Sequence, residues 1–288
     1  MKRFTTLAIF IALVSIAFAQ THMYVWKNGV KTNYVISEVD SITFGEEKGI
    51  GVFSVGENKK VAFSPGNLQY HPKNNEWHFA ETQWDYIGDA NSNISPNYDG
   101  WIDLFGWSTD GNLETQYGVS YSMDNNNYQG TFFDWGNNNI EIYVSNTWYT
   151  LNSDEWTYLI YYRTNAEHLH GIAQVNGVNG FILLPDNWSC PNSISFSSGF
   201  DDKYDSQTFT IEEWYQMEVF GAVFLPAAGW RIGTNVDSAQ NYGYYWTASE
   251  EGYKYADNLT FHAGWAGISA NGRCVGYSVR LVKDVVTE

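Results

Sequence analysis

Thr210-Ile211-Glu212-Glu213-Trp214-Tyr215-Gln216-Met217-Glu218-Val219-Phe220-Gly221-Ala222-Val223-Phe224-Leu225-Pro226 reads as a helix running straight into a strand. Thr210 and Glu213 stand at capping-box spacing: the hydroxyl accepts from the third amide of the helix and the carboxylate reaches back to the amide of Thr210 itself. Ile211, Trp214 and Met217 recur on one helical face. Gly221 ends the helix, because glycine enters the left-handed conformation without a Cβ penalty. The apolar run that follows has the composition of a buried strand.

The same arrangement occurs upstream. Asn152 caps a helix with Glu155 at the third position, and Trp156, Leu159, Ile160 and Arg163 follow at helical spacing. Phe181-Ile182-Leu183-Leu184-Pro185 is the matching buried-type strand. Shorter strand runs lie at residues 61–63, 77–79, 244–247, 258–261 and 277–282. Two helices among many short strands, without regular alternation, indicate an α+β fold rather than a parallel α/β sheet.

Residues 88–139 are mostly loop-forming, which is unusual for a compact domain. Trp101, Phe105, Trp107, Tyr117, Tyr121, Phe132, Phe133 and Trp135 recur through them, so packing of rings is expected to order this region. Residues 23–44 read as a small β unit with an Asn28-Gly29 hairpin turn and a third extended piece at 42–44. Residues 46–49 break the pattern as a linker.

The chain opens with Lys2 and Arg3, then an apolar run, then Ala17-Phe18-Ala19. That is the pattern of an export signal cut after Ala19. The run is shorter than the about 20 apolar residues that span a bilayer. The expected organisation is therefore a signal peptide over 1–19, a short N-terminal β element and linker over 20–48, and one domain over 49–288. The expected destination is outside the cytoplasm: periplasm, cell surface or medium.

The net charge of −17 makes nucleic acid and anionic membrane surfaces poor partners. The chain has two cysteines, Cys190 and Cys274. In an oxidising compartment a disulfide between them is chemically reasonable, and the sequence leaves open whether they are close.

Motifs for catalysis are sparse. There is no Gly-x-Ser-x-Gly elbow, no HExxH and no phosphate-binding glycine loop. His168 and His170 would share one face of a strand, but no further ligand stands at matching spacing, and a solvated turn is the plainer reading. Asp89, Asn91 and Asn93 open like a calcium loop, which then fails at Ile94 and Gly100. Asp201, Asp202 and Asp205 form an acidic cluster that reads as a charged loop. Glu155, Glu212 and Glu213 are explained by the electrostatics of helix starts. No catalytic residue and no cofactor is implied.

Residues 242–277 carry the recognition signal. Tyr244, Tyr245, Trp246, Tyr253, Tyr255, His262, Trp265 and Tyr277 are set among Gly, Ser and Asn, a composition shared with paratopes. Tyr245 and Trp246 are expected in the core. Tyr253, Tyr255, Asn258, His262, Trp265, Asn271 and Arg273 are expected to form a loop surface that binds ligand, rings stacking and polar groups hydrogen-bonding.

The phrases at 63–70, 101–107, 154–156, 223–229 and 243–246, with Ser278-Val279-Arg280-Leu281-Val282, resemble the Fibrobacter succinogenes major paralogous domain family, abundant among secreted proteins of gut Bacteroidetes. The resemblance covers roughly residues 52–284. It implies a C-type-lectin-like fold: two helices, small twisted antiparallel sheets and a long loop region that displays ligand contacts. By analogy with variable relatives of that fold, positions 253–277 correspond to the ligand surface. The Trp-Asn-Asp and Glu-Pro-Asn type signatures of calcium-dependent lectins are absent, and the cysteines do not match those of the formylglycine-generating enzymes. The expected function is a secreted or surface protein that binds a glycan or a protein. The alternatives are a surface assembly domain docking through residues 20–48 and, further off, a cryptic hydrolase.

Overall fold

The computed structural model describes residues 22–27, 30–35, 49–93, 95–108, 122–141, 145–191 and 194–285. The signal-like segment, residues 42–44, Ile94, Tyr117 and Tyr121 lie outside the described residues. The chain divides into two units, Met1–Glu46 and Glu47–Glu288. In the first, β1 (His22–Lys27) pairs antiparallel with β2 (Val30–Val35), His22 opposite Val35 and Lys27 opposite Val30.

The second unit runs β3 (Phe53–Gly56), β4 (Lys59–Phe63), β5 (Leu68–His71), β6 (Glu76–Phe79), α1 (Ser153–Thr157), β7 (His170–Val175), β8 (Val178–Leu183), β9 (Thr208–Phe209), α2 (Ile211–Val219), β10 (Val223–Pro226), β11 (Trp230–Ile232), β12 (Asn235–Asp237), β13 (Tyr242–Glu251), β14 (Tyr255–His262), β15 (Trp265–Gly272) and β16 (Val282–Asp284). The strands form small sheets in the orders β16-β4-β3, β10-β8-β7-β9, β13-β14-β15, β5-β6 and β11-β12. All pairs are antiparallel except β7 with β9. This is an α+β fold built mainly from small antiparallel sheets, with two α-helices among the described residues.

Both capping boxes form. Asn152 Oδ1 accepts from the Glu155 amide and Glu155 Oε2 from the Asn152 amide, and Thr210 and Glu213 repeat the exchange. Trp214 and Met217 are buried beneath α2, and Gly221 takes φ +85°. The first helix is shorter than its spacing suggests: α1 passes into a π-helical turn over Tyr158–Tyr162, and Arg163 is already extended.

Strand β7 was not evident from composition. Its hairpin with β8 turns at Asn176 and Gly177, both with positive φ (49° and 78°), the geometry that Asn-Gly favours. Residues of β8 alternate between two cores. Phe181 and Leu183 join Phe53, Leu159, Tyr245, Leu259 and Phe261, whereas Ile182 joins Trp214, Met217 and Phe224 beneath α2. A third core of Leu68, Trp77, Phe105, Trp107, Trp135, Trp246 and Tyr277 anchors the irregular region. Short 3-10 turns over Gly88–Ser92, Asn125–Tyr128 and Trp135–Asn137 are the regular structure described there.

Candidate functional site

The sheet β13-β14-β15 decides where the predicted recognition residues lie. Tyr242 pairs with His262, and His262 with Trp265, so the three rings form a row straight across the strands. Ring centroids are 5.1 Å apart for Tyr242 and His262 and 6.0 Å for His262 and Trp265. Tyr242 is 38% exposed, Trp265 40%, and His262 is half-buried. Behind Tyr242 the stack continues inward through Tyr244 to Tyr277, with centroids 5.9 and 4.6 Å apart. Packing from behind thus fixes the Tyr242 end of the row before any ligand arrives.

Trp265 lies over Gly267. A Cβ at that glycine would stand 2.5 Å from Trp265 Cζ2, so only glycine leaves room for the ring in this pose. The exposed Tyr161, carried by the π-helical turn, closes the edge by donating its hydroxyl to Ala266 O at 2.5 Å. Residue 161 was not singled out in the sequence, because a turn wider than an α-helix has no sequence period of its own.

Beside the row is an open hollow of about 560 Å³, within the roughly 300–1,000 Å³ range of small-ligand sites. Tyr242, His262 and Ala263 form one wall, Gln174 and Asn179 of the β7–β8 hairpin another, and Asp202, Lys203, Tyr204, Asp205, Gln240 and Asn241 the rest. The frame is internally bonded. Gln174 Nε2 donates to Asn179 Oδ1 (3.0 Å), Asn179 Nδ2 to Gln240 O (2.8 Å), and the Tyr204 hydroxyl to Asn241 O (3.0 Å). The buried Tyr204 hydroxyl is pushed well above the usual phenol range, first by loss of water and then by its neighbours Tyr242 and Tyr244, so it stays a donor.

Other polar atoms of the hollow are uncommitted. Among the described residues, no hydrogen bond or ion pair engages the side chains of Asp202, Lys203 or Asp205, the Tyr242 hydroxyl, Gln174 Oε1 or Asn241 Oδ1. His262 Nδ1 lies 2.6 Å from Ala263 O. A carbonyl only accepts, so Nδ1 carries the proton of that bond.

The remaining predicted residues stand elsewhere. Tyr255 and His262 lie at opposite ends of β14, about 23 Å apart at the usual rise of a strand. Tyr253 (64% exposed), Tyr255 (50%) and the half-buried Asn271 therefore belong to the far end of the sheet, not to the row. An open hollow of about 490 Å³ lies there, lined by Trp107, Phe132, Glu250, Tyr253 and Arg273 among others.

Two of the seven correct the expectation of a shared surface. Asn258 is fully buried, donates to Ser269 O (3.0 Å) and accepts from Thr260 Oγ1 (2.7 Å). It ties β14 to β15 from within. Arg273 is 1% exposed and is bonded throughout to the surrounding chain. Placing either at the surface would break bonds that nothing nearby replaces. The proposed disulfide is corrected too. Cys190 and Cys274 are free thiols, the first exposed and donating to Ile194 O, the second buried.

The histidine pair separates as well. His168 is exposed in a 3-10 turn, while His170 starts β7, buried between Phe181 and Phe200. Asn91 of the calcium-like run is buried and bonded to Asp103. Among the described residues, no three His, Cys, Asp or Glu side chains are grouped to hold a metal ion. The carboxyls raised by loss of water, the buried Asp103 and the half-buried Asp134, each accept hydrogen bonds that pin a loop, and neither lines a hollow beside β14. No helix among the described residues is long and apolar enough to cross a membrane.

No family model, curated protein or solved structure matches this chain.

Proposed function

We propose that this chain is an exported binding protein of the C-type-lectin-like type, related to the Fibrobacter succinogenes major paralogous domain family, and that it holds a glycan without acting on it chemically. The observation that supports this reading best is the row Tyr242, His262 and Trp265, half-open to water beside a polar hollow. A pyranose ring has an apolar C–H face and a rim of hydroxyls. The face stacks on the rings, and the rim meets the amides and carboxylates. The family resemblance supports the fold assignment, and the small antiparallel sheets with two helices agree with it in general terms. The signal-like pattern of residues 2–19 supports a location outside the cytoplasm.

The test is titration of the purified protein with glycans by calorimetry, beside Trp265→Ala. Trp265 is the largest and most exposed ring of the row, so its loss should weaken binding by at least about tenfold. A Trp265→Ala protein that is folded and binds like the wild type refutes the row as the site.

A second reading, surface assembly, draws on the separate β1–β2 hairpin, whose described side chains Lys31, Thr32, Asn33 and Tyr34 are exposed. A lone two-stranded hairpin is marginal in water and gains from a partner. Removing residues 20–48 should then release the protein from the cell surface while glycan binding persists.

A further inference from the structure

We infer that the hollow beside the ring row selects non-anionic saccharides, neutral or amine-bearing, and rejects uronates and sulfated sugars. The inference rests on the glycan-binding reading above and adds the chemical class. It comes from the charged side chains of the lining. The side-chain amides of Gln174, Asn179, Gln240 and Asn241 offer donors as well as acceptors and choose no charge. The charged side chains are the carboxylates of Asp202 and Asp205, both exposed and, among the described residues, without an internal bond, against the single ammonium of Lys203.

Two carboxylates against one ammonium call for a ligand that brings donors and no negative charge. Each sugar hydroxyl carries one, and an ammonium carries three. A carboxylate or sulfate carries none, so it would meet two unpaired aspartates with a single exposed lysine to offset them. The charge of the whole chain, −17, points the same way, because its field lowers the local concentration of anions. The aromatic row is indifferent to this choice, since it stacks on C–H faces of all four classes. The two features therefore separate in their effects: the row supplies affinity, and the hollow supplies discrimination.

Asp202, Asp205 and Asn241 are exposed, and the two carboxylates make no internal bonds, so their replacement leaves the fold intact. The experiment begins with an array carrying neutral, amine-bearing, uronic and sulfated glycans, probed with the purified protein. The strongest hit is then titrated against wild type, Trp265→Ala and the double variant Asp202→Asn with Asp205→Asn. The expected result is binding confined to neutral and amine-bearing glycans, with the double variant weaker by about tenfold, as loss of charge-assisted hydrogen bonds implies. Uronic or sulfated glycans as the strongest hits would overturn the inference and leave the ring row standing. So would a double variant that binds like the wild type while Trp265→Ala loses binding. An array with no hit at all, or a Trp265→Ala protein that binds normally, would sink the underlying reading and this inference with it.

Discussion

The Arg273 guanidinium lies 4.2 Å from the centre of the Trp107 ring, and every one of its nitrogens ends on oxygen. Nε donates to Tyr255 O, Nη1 to Tyr128 O and Gly130 O, and Nη2 to Gly252 O and Glu250 Oε2. One side chain thus joins the β13–β14 turn to the irregular region around residue 130. The planar fork is needed for this, and a lysine ammonium cannot reproduce it. Arg273→Ala should cost roughly 3 kcal/mol in chemical denaturation, and Arg273→Lys should recover less than half of that. Most of the loss comes from carbonyls left bare, because Glu250 is too exposed for its ion pair to count for much. A variant of full stability that loses ligand would instead return Arg273 to the binding surface.

Gly267 tests the row without touching it. A methyl group there would meet the Trp265 ring tip at 2.5 Å and the Tyr161 hydroxyl at 3.1 Å. The ring is partly exposed and free to swing, so Gly267→Ala should lower stability by under about 1 kcal/mol while displacing Trp265. Trp fluorescence should shift, and glycan affinity should fall about tenfold. Unchanged affinity with a shifted spectrum would show that the pose of Trp265 is irrelevant to binding.

Acid should act on two buried groups in opposite directions. His170 is held down at about 4 by burial and by the nearby Arg163. Unfolded histidine takes its proton near 6.5, so the folded state loses stability as pH falls from about 6.5 towards about 4, by up to roughly 3 kcal/mol. Asp103 is raised to about 6 by burial, against the hydrogen bonds from Asn91 and Ile87. Its folded state holds the proton more tightly, so its contribution is present below about pH 4 and is lost as pH rises through about 6, again by up to roughly 3 kcal/mol. Thermal unfolding across this window should show His170→Gln relatively stabilised by acid and Asp103→Asn relatively destabilised. Either variant running parallel to the wild type would remove that residue from the account.

The two thiols should differ in reactivity and never be joined. Cys190 is exposed, whereas Cys274 is buried and its thiol is pushed up chiefly by loss of water. Under native conditions a thiol reagent should label Cys190 quickly and Cys274 only after unfolding. Intact mass without reductant should retain both thiol hydrogens. A mass lower by two hydrogens, with neither thiol labelled, would contradict the free cysteines.

Much of the site was out of reach of the sequence for identifiable reasons. Tyr253, Tyr255, His262 and Trp265 were expected to be surface rings, and the first, second and fourth are well exposed. Their grouping was misjudged, since residues close in sequence lie at opposite ends of an extended strand. Asn258 and Arg273 were misplaced because a polar residue between aromatics looks the same whether it meets solvent or ties strands together. Gln174, Asn179, Gln240 and Asn241 were missed altogether. The Asn176-Gly177 turn would have revealed the hairpin that carries the first two.

What the amino-acid order determined alone is local. Both capping boxes and the stop at Gly221 depend on residues three or four apart, whose contacts form as soon as the helix does, and the α+β class follows from the order of helix and strand patterns along the chain. What only the tertiary structure decided is which strands of the last sheet lie side by side, and in which register. Tyr242 meets Trp265 through His262 because β13 and β15 both pair with β14. A shift of one residue would turn every ring to the opposite face, and the core packed on both sides of the sheet forbids it.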